Sequence, residues 1–374
     1  MQGVGIIGCG NISTAYLKLA PLFKGLEVRA VADLNMDVAR AQADTFGVRA
    51  ETVDALLGAD DIDIVVNLTI PDAHFAVTRA ILEAGKHAYS EKPIVLTKAQ
   101  GETLRGLAAE RGLRVGSAPD TFLGGAHQAA RAAIDASQIG DVVAGTAHVM
   151  SHGMEHWHPN PDFFFLPGAG PMLDIGPYYV TNLIQLLGPV ARVAALTTTP
   201  SATRTILSEP RRGEVIPVKT PTNIHALLDF ASGATITLST SWDVWAHRHG
   251  HMELYGTKGS MFLPDPNWFS GDVEIVDETG AEVSLDTVSH PFGVPNVDNN
   301  GVARANYRTA GLADMAAAMN AGRAHRCSLE LALHAVDVMT SVLTSGETGA
   351  MVDIASTCSR PEPMTPEAAR ALMA

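Results

Sequence analysis

The sequence has few cysteines and no long hydrophobic run. Its three cysteines, Cys9, Cys327 and Cys358, are odd in number and show no pairing pattern, which excludes a disulfide framework. Such cysteine usage suits the reducing cytoplasm, where we expect the protein to reside. No run of ~18 apolar residues is present, so no transmembrane segment is predicted. A strand pattern begins at once and leaves no room for a signal peptide.

Basic residues are also scarce. Lysine and arginine number 26 against 40 aspartates and glutamates, which gives a formal net charge of −14. No basic stripe is visible, so nucleic acid is not an expected partner. With 374 residues, 46% of them hydrophobic, the chain is long enough for two domains with full cores.

A glycine-rich turn follows the first apolar run. The segment 3–13, Gly-Val-Gly-Ile-Ile-Gly-Cys-Gly-Asn-Ile-Ser, is typical of a buried strand, a tight turn and the start of a helix. The glycines allow close approach of a pyrophosphate, and the N–H groups and dipole of the helix N-terminus hold its charge. Ser13 occupies the third small position, where Gly or Ala is usual. The predicted pyrophosphate contacts are Gly8, Gly10, Asn11 and Ile12.

An acidic residue ends the second predicted strand. Residues 26–32 form that strand, and Asp33 follows it, about 20 residues beyond the glycines. A carboxylate there accepts hydrogen bonds from ribose hydroxyls and repels a 2′-phosphate. Leu34 stands where an NADP enzyme often has Arg, so NAD is expected and NADP is disfavoured. In the alternative interpretation, Asp33 only caps the helix that begins near Asn35.

The pattern changes near residue 120. Before it, strands and helices alternate, which predicts a parallel sheet covered by helices on both faces. After it, period-two runs such as 223–230 and 234–242 predict a mostly antiparallel sheet with a few helices, including one at 174–187. We therefore predict an α/β Rossmann domain, 1–120, and an α+β domain, 121–374, whose C-terminal segment can pack back on the first. Residues 200–221 and 264–300 are predicted to be mainly irregular loops.

Three predicted strand ends carry candidate functional residues, because ligands of open α/β sheets bind beyond the carboxyl ends of the strands. These ends are 69–74 (Thr-Ile-Pro-Asp-Ala-His), 91–93 (Glu-Lys-Pro) and 120–121 (Asp-Thr). Lys92 is the sharpest candidate, since a lysine near a nicotinamide can activate a substrate hydroxyl or donate to a carbonyl. The alternative is a surface lysine paired with Glu91.

In combination, these motifs resemble the Gfo/Idh/MocA oxidoreductases over nearly the whole chain. The matching segments are Gly-x-Gly-x-x-Ser at 8–13, Asp33, Pro71-Asp72-x-His74, Ala-Gly-Lys-His at 84–87, Glu91-Lys92-Pro93, and Gly168-Ala-Gly-Pro-Met-Leu-Asp174-Ile-Gly-Pro-Tyr178. The resemblance implies a Rossmann domain followed by a domain with a large, open-faced sheet. The implied activity is reversible hydride transfer between a nicotinamide and a sugar, cyclitol or related alcohol.

The resemblance also implies roles for individual residues. Lys92 matches the active-site lysine, and Asp174 matches the acid of the second motif. Tyr178 stands where histidine is commoner, and in some family members a tyrosine here is the acid/base. On a helix, residues i and i+4 share a face, so Asp174 and Tyr178 are expected to point the same way. Alternatively, Tyr178 is a buried aromatic with a bonded hydroxyl. The expected cofactor contacts beyond the glycine turn are Asp33, Thr69, Pro71, His74, Glu91 and Lys92.

Two histidine clusters remain. Residues 152–160 contain His156, Trp157 and His158, and residues 247–251 contain three histidines at alternate positions. Zinc is a possible reading of such clusters, but no cysteine accompanies them and the resemblance implies no metal, so no metal is expected. Because a Trp ring stacks on apolar sugar faces while His bonds hydroxyls, we place substrate contacts at His156, Trp157 and His158, together with Lys92, Asp174 and Tyr178. The histidines at 247–251 are weaker candidates, expected on one side of a strand.

Three functions stay open at this point. The first is an NAD-dependent dehydrogenase acting on a secondary alcohol of a sugar or polyol. The second is a glycosidase or epimerase that oxidises a sugar transiently with tightly bound NAD, and the third is a non-catalytic NAD-binding sensor. A homodimer or homotetramer is also expected, since family members pair through the sheet and its apolar face is predicted to be exposed. The residues assigned to that face are Ile224, Ala226, Leu228, Ile236 and Leu238.

Overall fold

Strands make up the framework of both halves of the chain, and the computed structural model describes all residues from Met1 to Ala374. The strands are β1 (Gln2–Ile7), β2 (Leu26–Ala32), β3 (Arg49–Glu51), β4 (Ile64–Asn67), β5 (His87–Ser90), β6 (Val115–Ser117), β7 (Val142–Met150), β8 (Val190–Thr198), β9 (Thr203–Thr205), β10 (Val215–Pro217), β11 (Asn223–Phe230), β12 (Thr235–Ser241), β13 (Met252–Gly256), β14 (Gly259–Leu263), β15 (Glu274–Asp277), β16 (Glu282–Ser284), β17 (Val297–Asn299), β18 (Val302–Arg304) and β19 (Val352–Asp353).

Helices connect most strands of the first half and are fewer in the second. The α-helices are α1 (Asn11–Leu19), α2 (Met36–Phe46), α3 (Val53–Gly58), α4 (Pro71–Glu83), α5 (Lys98–Arg111), α6 (Gly125–Asp135), α7 (Gly170–Asp174), α8 (Gly176–Leu187), α9 (Ala310–Ala321), α10 (Leu329–Thr348) and α11 (Pro366–Leu372). None of them combines the length and the apolar character that a membrane crossing requires.

The first sheet is parallel throughout and has the strand order β3-β2-β1-β4-β5-β6. All four residues of β4 are buried, as expected for a strand covered by helices on both faces. The strand order reverses between β1 and β4, and their carboxyl ends are the place where such sheets bind a dinucleotide. The predicted Rossmann fold is confirmed.

Local signals set the helix ends of this region. Thr97 begins α5 by accepting a hydrogen bond from the backbone N–H of Gln100 at 3.3 Å, and Gly112 ends the helix with a φ of +63°. Helix α2 is capped by Asn35, whose side chain accepts from the N–H of Asp37 at 3.0 Å. Asp33 is therefore not the cap of α2.

The second sheet has nine strands in the order β16-β15-β14-β13-β7-β12-β11-β8-β19. All neighbouring pairs are antiparallel except β12 with β7. Burial alternates along β11, so one face of that strand packs on the core and the other is accessible. The predicted α+β domain with a large, mostly antiparallel sheet is confirmed.

The accessible face of this sheet is not the one that we predicted. The apolar residues assigned to it are buried, with exposures of 0–3% for Ile224, Ala226, Leu228, Ile236 and Leu238. That assignment was wrong because regular apolar alternation marks the face covered by other elements, and α7 and α8 contact β12 and β7. The opposite face carries Leu196 in β8 and Leu227 in β11, which are 73% and 49% exposed.

By packing, the chain divides into two compact units. The first comprises 1–125, 288–336 and 361–374, and the second comprises 126–287 and 337–360. Each unit is thus discontinuous, whereas the predicted domains are contiguous segments. Segments from the end of the chain join the first unit because α9 contacts β6 and α11 contacts α9.

The segments predicted as irregular contain short strands. Strands β9 and β10 form an antiparallel pair within 200–221, and β15, β16 and β17 lie within 264–300. Strands of three or four residues offer too few positions for period-two alternation to be recognised.

Candidate functional site

The glycine turn after β1 has the backbone that a pyrophosphate site requires. Gly8 has a φ of +100°, and a Cβ added there would lie 2.7 Å from the carbonyl carbon of Leu68. A Cβ on Gly10 would meet nothing within 4 Å. Gly10 is the N-cap of α1, and no side chain caps that helix. The first-turn N–H groups, at Asn11 and Ile12, are therefore not covered by a capping side chain, and the residues present fit a bound pyrophosphate.

Asp33 holds this turn in place. One carboxylate oxygen accepts from the backbone N–H of Cys9 at 2.8 Å, and the other accepts from the N–H of Asn35 at 2.9 Å. Each carboxylate oxygen can accept more than one hydrogen bond, so the half-buried Asp33 can still accept from ribose hydroxyls. Burial, followed by the charge of Asp33, raises the pKa of the Cys9 thiol to about 11, which keeps it protonated at neutral pH.

The end of β4 is built around a polar residue that we did not predict. Asn67 is fully buried, and its side-chain oxygen accepts from the hydroxyl of Thr69 at 2.7 Å. Its amide donates to the backbone oxygen of His74 and to the hydroxyl of Thr78, both at 3.0 Å. An asparagine inside an otherwise apolar strand is the signal that could have identified it. Pro71 is the first residue of α4, as favoured at that position.

His74 lies inside this region rather than at its surface. Its side chain is 1% exposed, and its two ring nitrogens lie 2.7 Å from the backbone oxygen of Pro93 and 2.9 Å from that of Thr69. Burial lowers the pKa of His74. Both polar atoms of the ring are thus occupied by main-chain carbonyl groups.

Glu91 connects the lysine motif to α1. One carboxylate oxygen accepts from the hydroxyl of Tyr16 at 3.1 Å, and the other accepts from the backbone N–H of Lys92 at 3.1 Å. Burial raises the pKa of Tyr16 well above its ordinary value, so the hydroxyl stays a donor. Tyr16 lies on the buried side of α1, and no sequence pattern singled it out.

At the third strand end, after β6, Asp120 is hydrogen-bonded to the start of another helix. Asp120 is 2% exposed, and one of its oxygens accepts from the backbone N–H groups of Thr309 and Gly311, both at 3.0 Å. These groups belong to the start of α9, so Asp120 caps a helix far away in sequence. Burial raises the pKa of Asp120 to about 6.

Asp174 and Tyr178 do not lie on one continuous helix. Asp174 ends α7, Tyr178 lies in the first turn of α8, and Ile175 separates the two helices. The predicted helix at 174–187 is found at 176–187, and its first two residues lie outside it because Gly176 and Pro177 begin the helix. The i, i+4 argument therefore does not apply, although both side chains are half-buried.

Tyr179, next to Tyr178, faces the interior. It is 2% exposed, and its hydroxyl lies 3.0 Å from Nδ1 of His251 and 3.4 Å from a carboxylate oxygen of Asp265. Burial raises the pKa of Tyr179 well above its ordinary value. Adjacent tyrosines thus have different surroundings, as expected for successive residues of a helix.

The backbone of the loop 152–158 is fixed by the β9–β10 region. The backbone oxygen of Glu155 accepts from the N–H of Leu207 at 2.8 Å, and that of His158 accepts from the hydroxyl of Ser208 at 2.6 Å. The buried carboxylate of Glu155 also forms a 3.0 Å ion pair with Arg204. No local pattern predicts this anchoring, because its partners lie about 50 residues away in the chain.

On this fixed loop, two of the predicted substrate contacts are accessible. His156 is exposed, and Trp157 is 55% exposed. The His158 ring is half-buried and packs edge-on against Trp157 and Phe164, with centroid distances of 5.3 and 5.2 Å. The three residues therefore lie together on this loop, and the Trp157 ring contacts the ring of His158.

The histidines at 247–251 do not share one side of a strand. They precede β13, and the ring of His249 stacks on His148 at 4.1 Å and on His247 at 6.3 Å. His251 instead contacts Tyr179. The expectation failed because the segment is irregular, so alternation does not set direction.

Two family models match the chain, one to each half of the predicted architecture. Residues 2–118 match the model described as "Oxidoreductase family, NAD-binding Rossmann fold", and residues 127–262 match the "GFO/IDH/MocA C-terminal domain". Together the two matches cover more than half of the chain.

Characterised relatives are similar over parts of the chain. A dTDP-3,4-didehydro-2,6-dideoxy-alpha-D-glucose 3-reductase of Streptomyces violaceoruber is 36% identical over 197 residues, which are 51% of this chain and 56% of the relative. An inositol 2-dehydrogenase/D-chiro-inositol 3-dehydrogenase of Shouchella clausii is 40% identical over 99 residues, 25% of this chain and 28% of the relative. The chain thus matches 56% of the length of the first relative and 28% of the second.

Among solved structures, an NAD binding oxidoreductase from Klebsiella pneumoniae superposes with a TM-score of 0.81. The match covers 95% of this chain and 99% of that chain at 19% identity. At this identity, the likeness shows a shared fold.

Proposed function

Because this chain belongs to the Gfo/Idh/MocA family of NAD-binding oxidoreductases, we propose that it is a dehydrogenase acting on a secondary alcohol of a sugar, cyclitol or related polyol. The observation that carries this proposal is the Glu91-Lys92-Pro93 motif at the end of β5. The Glu91 carboxylate accepts from the backbone N–H of Lys92, and the ring of His74 contacts the backbone oxygen of Pro93. The names of the relatives, a deoxysugar reductase and an inositol dehydrogenase, support the substrate class.

The first unit supplies the groups that would hold NAD. Gly8, Gly10, Asn11 and Ile12 line the start of α1, and Asp33 lies against the turn with both oxygens able to accept further bonds. Thr69, Pro71, Glu91 and Lys92 lie at neighbouring strand ends and complete the proposed contacts. When bound, a nicotinamide accepts or returns the hydride. Asp33 repels a 2′-phosphate, which favours NAD over NADP.

Lys92, Asp174 and Tyr178 are proposed as the groups that handle the proton. Removing hydride from a secondary alcohol leaves a carbonyl, so the hydroxyl proton must pass to a base. In its phenolate form Tyr178 can take that proton and become a phenol, and the Lys92 ammonium can stabilise the developing negative charge on the substrate oxygen. Asp174 accepts hydrogen bonds and orients a neighbouring donor. The family relationship supports assigning all three to one reaction.

Trp157, His156 and His158 are proposed to bind the sugar. An exposed tryptophan on a loop whose backbone is fixed loses little freedom on binding, and its ring can stack on the C–H face of a sugar. His156 and His158 can then bond hydroxyl groups.

Homo-oligomerisation through the accessible face of the second sheet is also proposed. Leu196 and Leu227 lie on neighbouring strands, where His225 pairs with Leu196 and Leu227 pairs with Ala194. Large exposed apolar residues on one sheet face favour association. The three free cysteines suit a cytoplasmic protein.

A panel of sugars and cyclitols tests the function directly. Reduced cofactor is followed by absorbance with each compound, in parallel with NAD and NADP. We expect turnover with at least one polyol, and a kcat/KM at least about tenfold higher with NAD, worth roughly 1.4 kcal/mol.

The same panel separates the other functions. A glycosidase or epimerase would retain NAD through purification and convert a sugar without net reduced cofactor. A sensor would bind NAD and turn over nothing. Either result would overturn the dehydrogenase proposal.

A further inference from the structure

His74 links two backbone segments beside the proposed catalytic lysine. Its side chain is 1% exposed, and its ring lies between the backbone oxygen of Pro93, 2.7 Å from Nδ1, and that of Thr69, 2.9 Å from Nε2. Pro93 directly follows Lys92. The ring of His74 thus fixes the backbone at Pro93, the residue after Lys92.

The segment is held from its other side as well. The backbone N–H of Glu91 donates to the backbone oxygen of Asn67 at 2.9 Å, and the side chain of Asn67 binds Thr69 and the backbone of His74. Lys92 therefore lies between two points that are both tied to the β4 loop. The side chains of Asn67 and Glu91 are both hydrogen-bonded within this arrangement, which favours one geometry for the segment between them.

This geometry leaves neither ring nitrogen of His74 for a ligand. Carbonyl oxygens only accept hydrogen bonds, so a contact to the cofactor would require breaking one of the two bonds. Burial lowers the pKa of His74, and of the nearby charges Glu91 favours the protonated ring and Lys92 opposes it. A neutral imidazole has one N–H, so the neutral ring donates to one of the two carbonyl oxygens and donates to both only when it carries two protons.

We propose that His74 is a positioning residue that sets the location of Lys92 by tying Pro93 to Thr69, and that it does not bind the cofactor. The inference rests on the proposed function for the role of Lys92. A displacement of about 1 Å at a reacting group costs on the order of a hundredfold in rate. Because Pro93 directly follows Lys92, we expect loss of the hydrogen bond to Pro93 to affect the rate more than loss of the hydrogen bond to Thr69.

Two substitutions separate the two bonds. The side-chain nitrogen of Asn falls where Nδ1 of histidine lies, so His74→Asn can keep the bond to Pro93. The side-chain nitrogen of Gln falls where Nε2 lies, so His74→Gln keeps only the bond to Thr69. His290→Gln is the matched control, because His290 is also buried in the first unit, and its ring lies 2.8 Å from the backbone oxygen of Met364.

Three quantities are measured on the intact chain of 374 residues. They are the NAD dissociation constant, kcat with the best polyol, and the pH dependence of Lys92 acetylation without substrate, read by peptide mass spectrometry with Lys98 as reference. For His74→Gln we expect kcat to fall about tenfold to a hundredfold, a changed Lys92 acetylation profile and an NAD affinity within about threefold. His74→Asn should restore most of kcat and most of the wild-type Lys92 acetylation profile. His290→Gln should leave kcat and that profile unchanged.

Weakened NAD binding with an unchanged Lys92 profile would make His74 a cofactor ligand and overturn the proposal. Equal losses in His74→Gln, His74→Asn and His290→Gln would show a general packing role and would also overturn it. If the wild type oxidises no polyol, the proposed function fails, but the acetylation comparison still decides whether His74 positions Lys92.

Discussion

Adjacent tyrosines at the start of α8 allow a test of the proton carrier at the scale of single residues. Tyr178→Phe keeps the ring and removes only the hydroxyl. If Tyr178 passes the proton, the chemical step should fall by about two orders of magnitude while NAD affinity and folding change little. Single-turnover kinetics with NAD and the best polyol measure that step.

Tyr179→Phe is the matched control for this experiment. It removes a buried hydroxyl that contacts His251 and Asp265, so the free energy of unfolding should fall by about 1 kcal/mol while the chemical step is unchanged. A Tyr178→Phe enzyme with the wild-type rate would make Tyr178 a packing residue. The proton would then pass to Lys92 or to a histidine of the loop 152–158.

Residue types and spacing could predict candidates at this scale, but not all of their partners. The position of Asp33 beside the glycine turn could be predicted because the strand end and the turn are both local features. The two carbonyl partners of His74 could not, since they depend on how the β4 and β5 loops meet in three dimensions. Arg204, which anchors Glu155 from about 50 residues away, was missed for the same reason.

At the scale of elements, the capping of α9 by Asp120 makes stability depend on pH. Burial raises the pKa of Asp120 to about 6, above the ~3.9 of an unfolded aspartate. Between these values, the folded state holds a proton that the unfolded state has released, so this group's contribution to stability falls as the pH rises from about 4 to about 6. Above that range both states are ionised and the contribution is constant.

Asp120→Asn removes this titration and keeps an oxygen that can accept from Thr309 and Gly311. Relative to the Asn variant, the wild type should lose roughly 3 kcal/mol at most between pH 4 and pH 6.5, since a tenfold change in proton affinity is worth ~1.4 kcal/mol. Urea unfolding of both proteins at several pH values measures the difference. Parallel stability curves would show that Asp120 has an ordinary proton affinity in the folded protein.

Helix boundaries could be predicted where a capping side chain or a left-handed glycine marks the end of the helix. Thr97 and Gly112 define the ends of α5, because a side-chain cap and a left-handed glycine act within one turn. The break at Ile175 was missed, although Gly176 and Pro177 are strong signals for a new helix, because the apolar pattern continues through them. The β9–β10 pair was missed because each strand has only three residues.

At the scale of the whole molecule, the accessible face of the second sheet makes assembly testable. Leu227→Glu places a charge beside Leu196 on that face, so the concentration needed for association should rise about tenfold or more, because burying an unpaired charge is costly. Light scattering over a micromolar range gives the mass. Val302→Glu, at a 48% exposed site of β18 in the first unit, should leave the mass unchanged. A monomeric wild type would rule out the proposed oligomer.

The alternating pattern predicted both folds, and the C-terminal segment was expected to pack back on the first domain, as residues 361–374 do. That residues 288–336 also join the first unit was not predicted, because it depends on contacts that no local pattern encodes, such as those between α9 and β6. The choice of sheet face failed similarly, since alternation shows that two faces differ and packing decides which one is covered.

The most direct test of the account is a single turnover of NAD with the best polyol, comparing wild type with Lys92→Ala and with Lys98→Ala as the control for an exposed lysine. Lys92→Ala should form reduced cofactor about 10²–10⁴-fold more slowly at nearly unchanged NAD affinity, and Lys98→Ala should match the wild type. A Lys92→Ala enzyme that forms reduced cofactor within a few-fold of the wild-type rate would contradict the account.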